Sequence, residues 1–251
     1  MSEVNLSFPN PPIVEAVVDV DCDLPTAFNL VDLEGPAQAA FRDSYPKMRK
    51  QHLHEFSVAM NAGEPTDQST RHGLQALQFL HDDEKQLVQV RASGYSFNRL
   101  APYLGFGVCL PEIQRTWEIY FSLVCPIKIR AVRVRYINRI RLPLENGRVD
   151  LDEYFKNGPR VAEGAGLNLA GFLNQYRAIE SRTGYAVATV LTAESVVGDI
   201  LPVIFDNMAW ANVDIEPDDW PSFKAVLQGL QDLKNRVFRS TLGDKCLSLF
   251  Q

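Results

Sequence analysis

The segment that most constrains this chain runs from Ile127 to Leu142. Side chains alternate there with a period of two over a length that only a long strand accommodates. Val132, Val134, Tyr136, Asn138, Ile140 and Leu142 fall on one face; Arg133, Arg135, Ile137, Arg139 and Arg141 fall on the other. The first face requires a core and the second requires counter-charge. The apolar phase starts at 127 and 129 and resumes at 132, 134 and 136, so the spacing predicts a β-bulge at Ala131-Val132.

Charge sharpens the problem. Residues 126–148 carry a net +6, in a chain whose formal charge is −6, so the remaining residues carry −12. Three uses of the stripe follow. It is an interface for an acidic protein partner, or a nucleic-acid or phosphate surface, or it is neutralised within the fold. The acidic whole disfavours nonspecific attraction to nucleic acid. A match for internal neutralisation lies near the start. Pro11-Pro12 sets an extended approach, Ile13 to Val20 reads as a strand, and Glu15, Val17, Asp19, Asp21 and Asp23 share one face. Antiparallel pairing of Val17 with Ile137 places Glu15 opposite Arg139, Asp19 opposite Arg135 and Asp21 opposite Arg133. Parallel pairing through the same residues also matches the charges. Such exposed pairs contribute only ~0–1 kcal/mol each, yet they specify register. Residues 183–223 hold seven carboxylates and no Lys or Arg, which suits either a surface for a basic partner or a solvated edge with helix caps.

Residues 25–44 read as a helix in two pieces broken by Gly35-Pro36, and strands are expected at 51–60, 73–82 and 86–97, with a polar loop at 61–72. His81 to Lys85 reads as a hairpin end. Pro111 opens a helix with Ile113, Trp117, Tyr120 and Val124 on its apolar face, and Pro126 ends it. Beyond a polar stretch at 144–166, with a short helix at 151–155, strands are expected near 167–180, 185–194 and 200–213. Asp218/Asp219 then cap a helix whose buried stripe includes Phe223, Leu227, Leu230, Leu233/Lys234 and Phe238, stopped by Gly243. Strands mostly follow strands. The fold class is therefore α+β with a mainly antiparallel sheet, two related-looking halves (1–145 and 146–251) and a long C-terminal helix.

The segments Pro11-Pro12-Ile13-Val14-Glu15-Ala16-Val17, Ser96-Phe97-Asn98-Arg99-Leu100-Ala101-Pro102-Tyr103 and Arg135-Tyr136-Ile137-Asn138-Arg139-Ile140 occur in an order and spacing that resembles a family of sporadically distributed prokaryotic proteins of about this length. The resemblance spans nearly the whole chain, and the Arg-Tyr-Ile-Asn-Arg-Ile segment is its most specific part. It implies no catalytic role for any residue. The patchy distribution implies an accessory system of the defence or toxin–antitoxin kind. Where the family often has Leu-His in its closing helix, this chain has Leu230-Gln231.

Recognisable catalytic patterns are missing from the sequence. His52 and His54 lie two apart on a strand without further ligands at metal-binding spacing, and the four cysteines form no CxxC pair. Neither GxSxG nor a phosphate-binding glycine loop occurs. The expectation is no metal and no cofactor. No stretch is long and apolar enough for a membrane helix, and the start lacks the pattern of a signal peptide, so a cytoplasmic location is expected. Two functional readings result. The first is a noncatalytic binding protein that contacts a protein partner, encoded by a neighbouring gene, through Arg133, Arg135, Arg139 and Arg141. The alternative is a small-molecule sensor or enzyme with an aromatic pocket built from Tyr95, Phe97, Arg99, Tyr103 and Trp117, beside Phe106 and Tyr120.

Overall fold

A computed structural model describes residues 8–59, 67–160 and 169–251; the side chains of residues 53–59 and 67–72 lie outside the description. The long basic segment forms β6 (Lys128–Pro143), and Ile13–Asp23 forms β1, its antiparallel neighbour. The two strands pair two residues away from the charge-matched register. Val17 lies opposite Arg135, Asp19 opposite Arg133 and Glu15 opposite Ile137. A two-residue slip leaves every side chain on its own face, so alternation does not distinguish the two registers. The bulge falls at Arg130, one residue before the expected position: the ladder steps from Ile129 to Ala131 against both neighbours of β6.

The other strands are β2 (Lys47–Ala59), β3 (Asp67–Leu80), β4 (Gln86–Arg91), β5 (Gly94–Leu100), β7 (Leu173–Ile179), β8 (Ala186–Ala193) and β9 (Ile200–Ile215). Among the described residues all of them join one antiparallel sheet in the order β2-β3-β4-β5-β1-β6-β9-β8-β7. The sheet continues across residue 145, because β6 pairs with β9 along its length. β1 and β6 are each followed by a short helix, an antiparallel meander and a long helix, and the last meander strand pairs back onto the first strand.

Several local expectations are corrected. Residues 86–97 form two strands, because Ala92-Ser93 turns the chain and Gly94 follows at φ 150°. A Cβ at Gly94 would sit 2.0 Å from the Val20 carbonyl oxygen, so only glycine lets β5 close on β1. Of the expected loop at 61–72, residues 67–72 belong to β3, and residues 61–66 lie outside the described residues. Residues 26–33 are turns and irregular backbone, since Asn29 accepts from the Val31 amide and donates to Asp32, diverting the backbone from a helix. Gly35-Pro36 lie inside α1 (Glu34–Phe41), in its first turn, where proline needs no amide partner. The next helix, α2 (Phe106–Val124), begins five residues before Pro111, anchored by buried Phe106, Cys109 and Ile113. Cys125 closes it in the left-handed conformation.

The helices α1, α2 and α4 (Trp220–Thr241) cover one face of the sheet. Ala16, Val18, Val20, Val132, Val134 and Tyr136 are buried there with Phe41, Trp117, Phe223 and Leu227. Val14, which alternation along β1 would place on this surface, is exposed, because a register break between Ile13 and Glu15 takes it out of the ladder. A second cluster joins Ile140, Phe205 and Phe238 to α3 (Leu151–Tyr154) and α5 (Asp244–Ser248). Each buried valine or leucine contributes roughly 1.5–3 kcal/mol, against ~0–1 kcal/mol for an exposed ion pair. The helix-covered face therefore holds the sheet together, and the opposite face selects which strands are neighbours.

Candidate functional site

The arginine stripe lies on the face away from the helices, and carboxylates meet most of it. Arg133 pairs with Asp21 at 2.6 Å. Arg135 makes a two-pronged contact with Asp206 of β9, at 2.9 and 2.6 Å. Arg139 reaches Glu194 at 2.7 Å. At the bulge, Arg130 lies between Asp23 at 2.6 Å and Asp214 at 2.7 Å, while Lys128 meets Asp214 and Glu216. Glu15 and Asp19, expected on Arg139 and Arg135, are held instead by β5, through Asn98 and Ser96. Most of the counter-charge thus comes from the acidic 183–223 segment, which folds against the basic strand. Burial would raise the Asp21 pKa, but hydrogen bonding and charge from Arg133, reinforced by Arg91, hold it below the usual carboxylate range. Arg141 is exposed and, among the described residues, has no ion-pair partner.

The aromatic candidates divide between core and cavity. Tyr95 is fully buried, with its hydroxyl 2.7 Å from the Thr116 hydroxyl. Trp117 donates its indole N–H to the Pro217 carbonyl at 3.0 Å and packs on Phe223, fastening α2 to α4. Phe97 and Arg99 border, with Tyr103, a void of only about 10 Å³. Of the five, Tyr103 alone lines the large neighbouring cavity, of about 380 Å³.

That cavity opens where the two cores meet, under the helix layer. Phe106, Tyr136 and Phe238 supply buried apolar surface; Pro11, Pro12 and Ile13 close one side; Leu104 and Val108, 59% and 61% exposed, form the rim. Pro111 has no amide hydrogen, so the Gly107 carbonyl on this rim receives no helical bond from that position. Polar and apolar groups share the lining about equally. Tyr103 and Tyr136 join hydroxyl to hydroxyl, and burial raises both phenols, so they stay protonated. Asn138 gives its amide to the Phe205 carbonyl at 2.9 Å. Gln231 and Asn235 come from α4.

The remaining polar group is Lys234. It is 3% exposed, lines the cavity, and its Nζ sits 3.1 Å from the centre of the Tyr136 ring. Among the described residues Nζ has neither a carboxylate nor a hydrogen-bond acceptor, and burial lowers its pKa well below the ordinary 10.5. Asn207 fixes the backbone here, donating to the Lys234 carbonyl at 2.9 Å. Sequence reasoning placed Lys234 on the buried stripe and assigned it no role. The available signal was a lysine sharing a helix face with Leu227, Leu230 and Phe238.

Among the described residues no three His, Cys, Asp or Glu side chains are grouped to hold a metal ion. His52 is exposed, and the side chains of His54 and His72 lie outside the described residues. No described helix is long and apolar enough to cross a membrane. Compared with protein-family models and with curated proteins, the chain matches none.

Proposed function

We propose that this chain is a noncatalytic binding protein whose ligand is a small amphipathic molecule in the Tyr103–Tyr136–Lys234 cavity. The supporting observation is the buried, unpaired amine in an aromatic-lined space. A buried amine without a hydrogen-bond acceptor is costly, and a ligand that supplies one offsets the cost. The test is a thermal-shift and native mass-spectrometry screen of apolar compounds with one polar end. A ligand at a hundred times its Kd should stabilise by ~2.7 kcal/mol, a shift of several degrees for a domain of this size. Flat melting curves and no retained mass across such a panel would remove this reading.

A second reading keeps the protein partner, in an accessory defence or toxin–antitoxin-like system. Exposed Leu104 and Val108 at the cavity mouth favour it, together with the sequence resemblance. Affinity purification with the neighbouring gene products present tests it, and recovery of the chain alone at every salt concentration counts against it. The repeated order of strand, helix, meander and helix supports two related halves, divided before β6 rather than at residue 145.

A further inference from the structure

Resting on the cavity reading above, we infer that the ligand is an apolar monocarboxylate, its carboxylate seated on the Lys234 Nζ and its body on Phe106, Tyr136 and Phe238. The lining contains one basic side chain and, among the described residues, no acidic one. A single cation compensates a single negative charge. A dianionic phosphate would leave a charge buried and unmatched, and a ligand ammonium would bring a second basic group into a lining without a carboxylate. Amide hydrogens from Gln231 and Asn235, and the one phenol hydrogen that the Tyr103–Tyr136 contact does not use, are available around the same space for the carboxylate oxygens.

In the empty cavity burial disfavours the ammonium form, and a carboxylate opposite Nζ favours it, so binding shifts the amine towards protonation. The titratable groups facing Lys234 are Tyr136 from β6 and Tyr103 from the segment before α2, and both stay protonated phenols. The Phe8–Ile13 stretch contributes no titratable group to the lining, β9 presents neutral Asn207 to the Lys234 backbone, and α4 adds only Gln231 and Asn235.

The experiment compares three acids (decanoate, phenylbutyrate and indolepropionate) with their primary amides, by calorimetry at neutral pH in buffers of different ionisation enthalpy. At least one acid should bind about 10-fold or more tightly than its amide. Lys234→Met should abolish that preference while the amide still binds, and Lys224→Met on the same helix should retain it. Acid and amide binding equally overturns the carboxylate inference and leaves the cavity reading standing. No binding by any acid or amide overturns both. The acid–amide comparison uses the unaltered chain, so the outcome does not depend on a variant that folds.

Discussion

The two faces of the sheet handle charge in opposite ways. The open face of β6 carries Lys128, Arg130, Arg133, Arg135 and Arg139, and each meets a carboxylate from β1, β9 or the segment before β9. The helix-covered side carries a single amine at the cavity, Lys234, and it meets none among the described residues. The conspicuous stripe is therefore mostly occupied with the protein's own architecture, whereas the inconspicuous lysine retains an unspent interaction. Density of charge in a sequence is a weaker sign of a site than one polar group that the fold buries without a partner.

The largest effect should fall on the core side of that comparison. Trp117→Ala removes the contact between α2 and α4 and leaves a cavity, at a cost of about 3–5 kcal/mol by denaturant unfolding. Tyr103→Phe keeps its volume and should cost far less. Similar losses for the two would show that the cavity wall bears on stability as much as the helix seam does.

Lys234→Met should act in the other direction. Methionine fills similar space without a buried amine, so the variant should gain roughly 1–3 kcal/mol at neutral pH. The sign follows from linkage: the unfolded chain holds the Lys234 proton up to about its ordinary 10.5, and the folded chain releases it at lower pH. Wild-type stability therefore rises with pH between those two values, and the advantage of Lys234→Met should shrink across the same window. Urea titrations from neutral pH towards 10.5 test this. A pH-independent difference would mean that the amine is solvated.

Much of this contrast was legible in the sequence, and the illegible part has definite causes. Alternation exposed β1 and β6 and their neighbourhood, because a half-buried strand writes its two faces into every second residue. It left the register open, and with it the partners of Arg135 and Arg139, which lie in the segment running from β8 into β9 rather than on β1. The carboxylates at 183–223 were visible as a cluster, but which strand they would face is set by long-range topology. Pro111 misdirected the start of α2, since buried contacts of Phe106 and Cys109 outweigh a local breaker. Tyr95, Phe97 and Trp117 carry the same composition whether they line a core or a pocket. Lys234 needed a cavity beside it before its burial acquired meaning.

On the charged face, Asp21→Asn should cost roughly 1–2 kcal/mol, because the side chain loses ionic partners in both Arg133 and Arg91. The folded Asp21 pKa lies below its ordinary 3.8. Its stabilisation is fully present above that value and is lost as pH falls through the lower folded one, so the wild type and Asp21→Asn should converge in acid. A constant gap down to the folded pKa would show that the contact is steric rather than ionic. A double-mutant cycle across β6 and β9 should give a smaller coupling. Arg135→Gln and Asp206→Asn should couple by about 0.5–1 kcal/mol, whereas Arg135→Gln and Asp19→Asn should couple less, since Asp19 is held by Ser96. The reverse ranking would restore the register expected from charge matching.

The smallest effect belongs to Arg141. It continues the stripe by periodicity, but it is exposed and has no carboxylate partner among the described residues. Its place opposite Pro202 on β9 gives its side chain no charged neighbour directly across the ladder. Arg141→Gln should therefore change stability by less than about 0.5 kcal/mol, with little dependence on salt. Arg139→Gln, two residues earlier and also exposed, loses a contact to Glu194 and should show a salt-sensitive loss of up to ~1 kcal/mol. Running the pair side by side at low and high salt separates arginines that the fold uses from one that it leaves free. If Arg141→Gln cost as much as Arg139→Gln with the same salt dependence, periodicity rather than pairing would govern the stripe. The contrast drawn between the two faces would then lose its basis on the charged side.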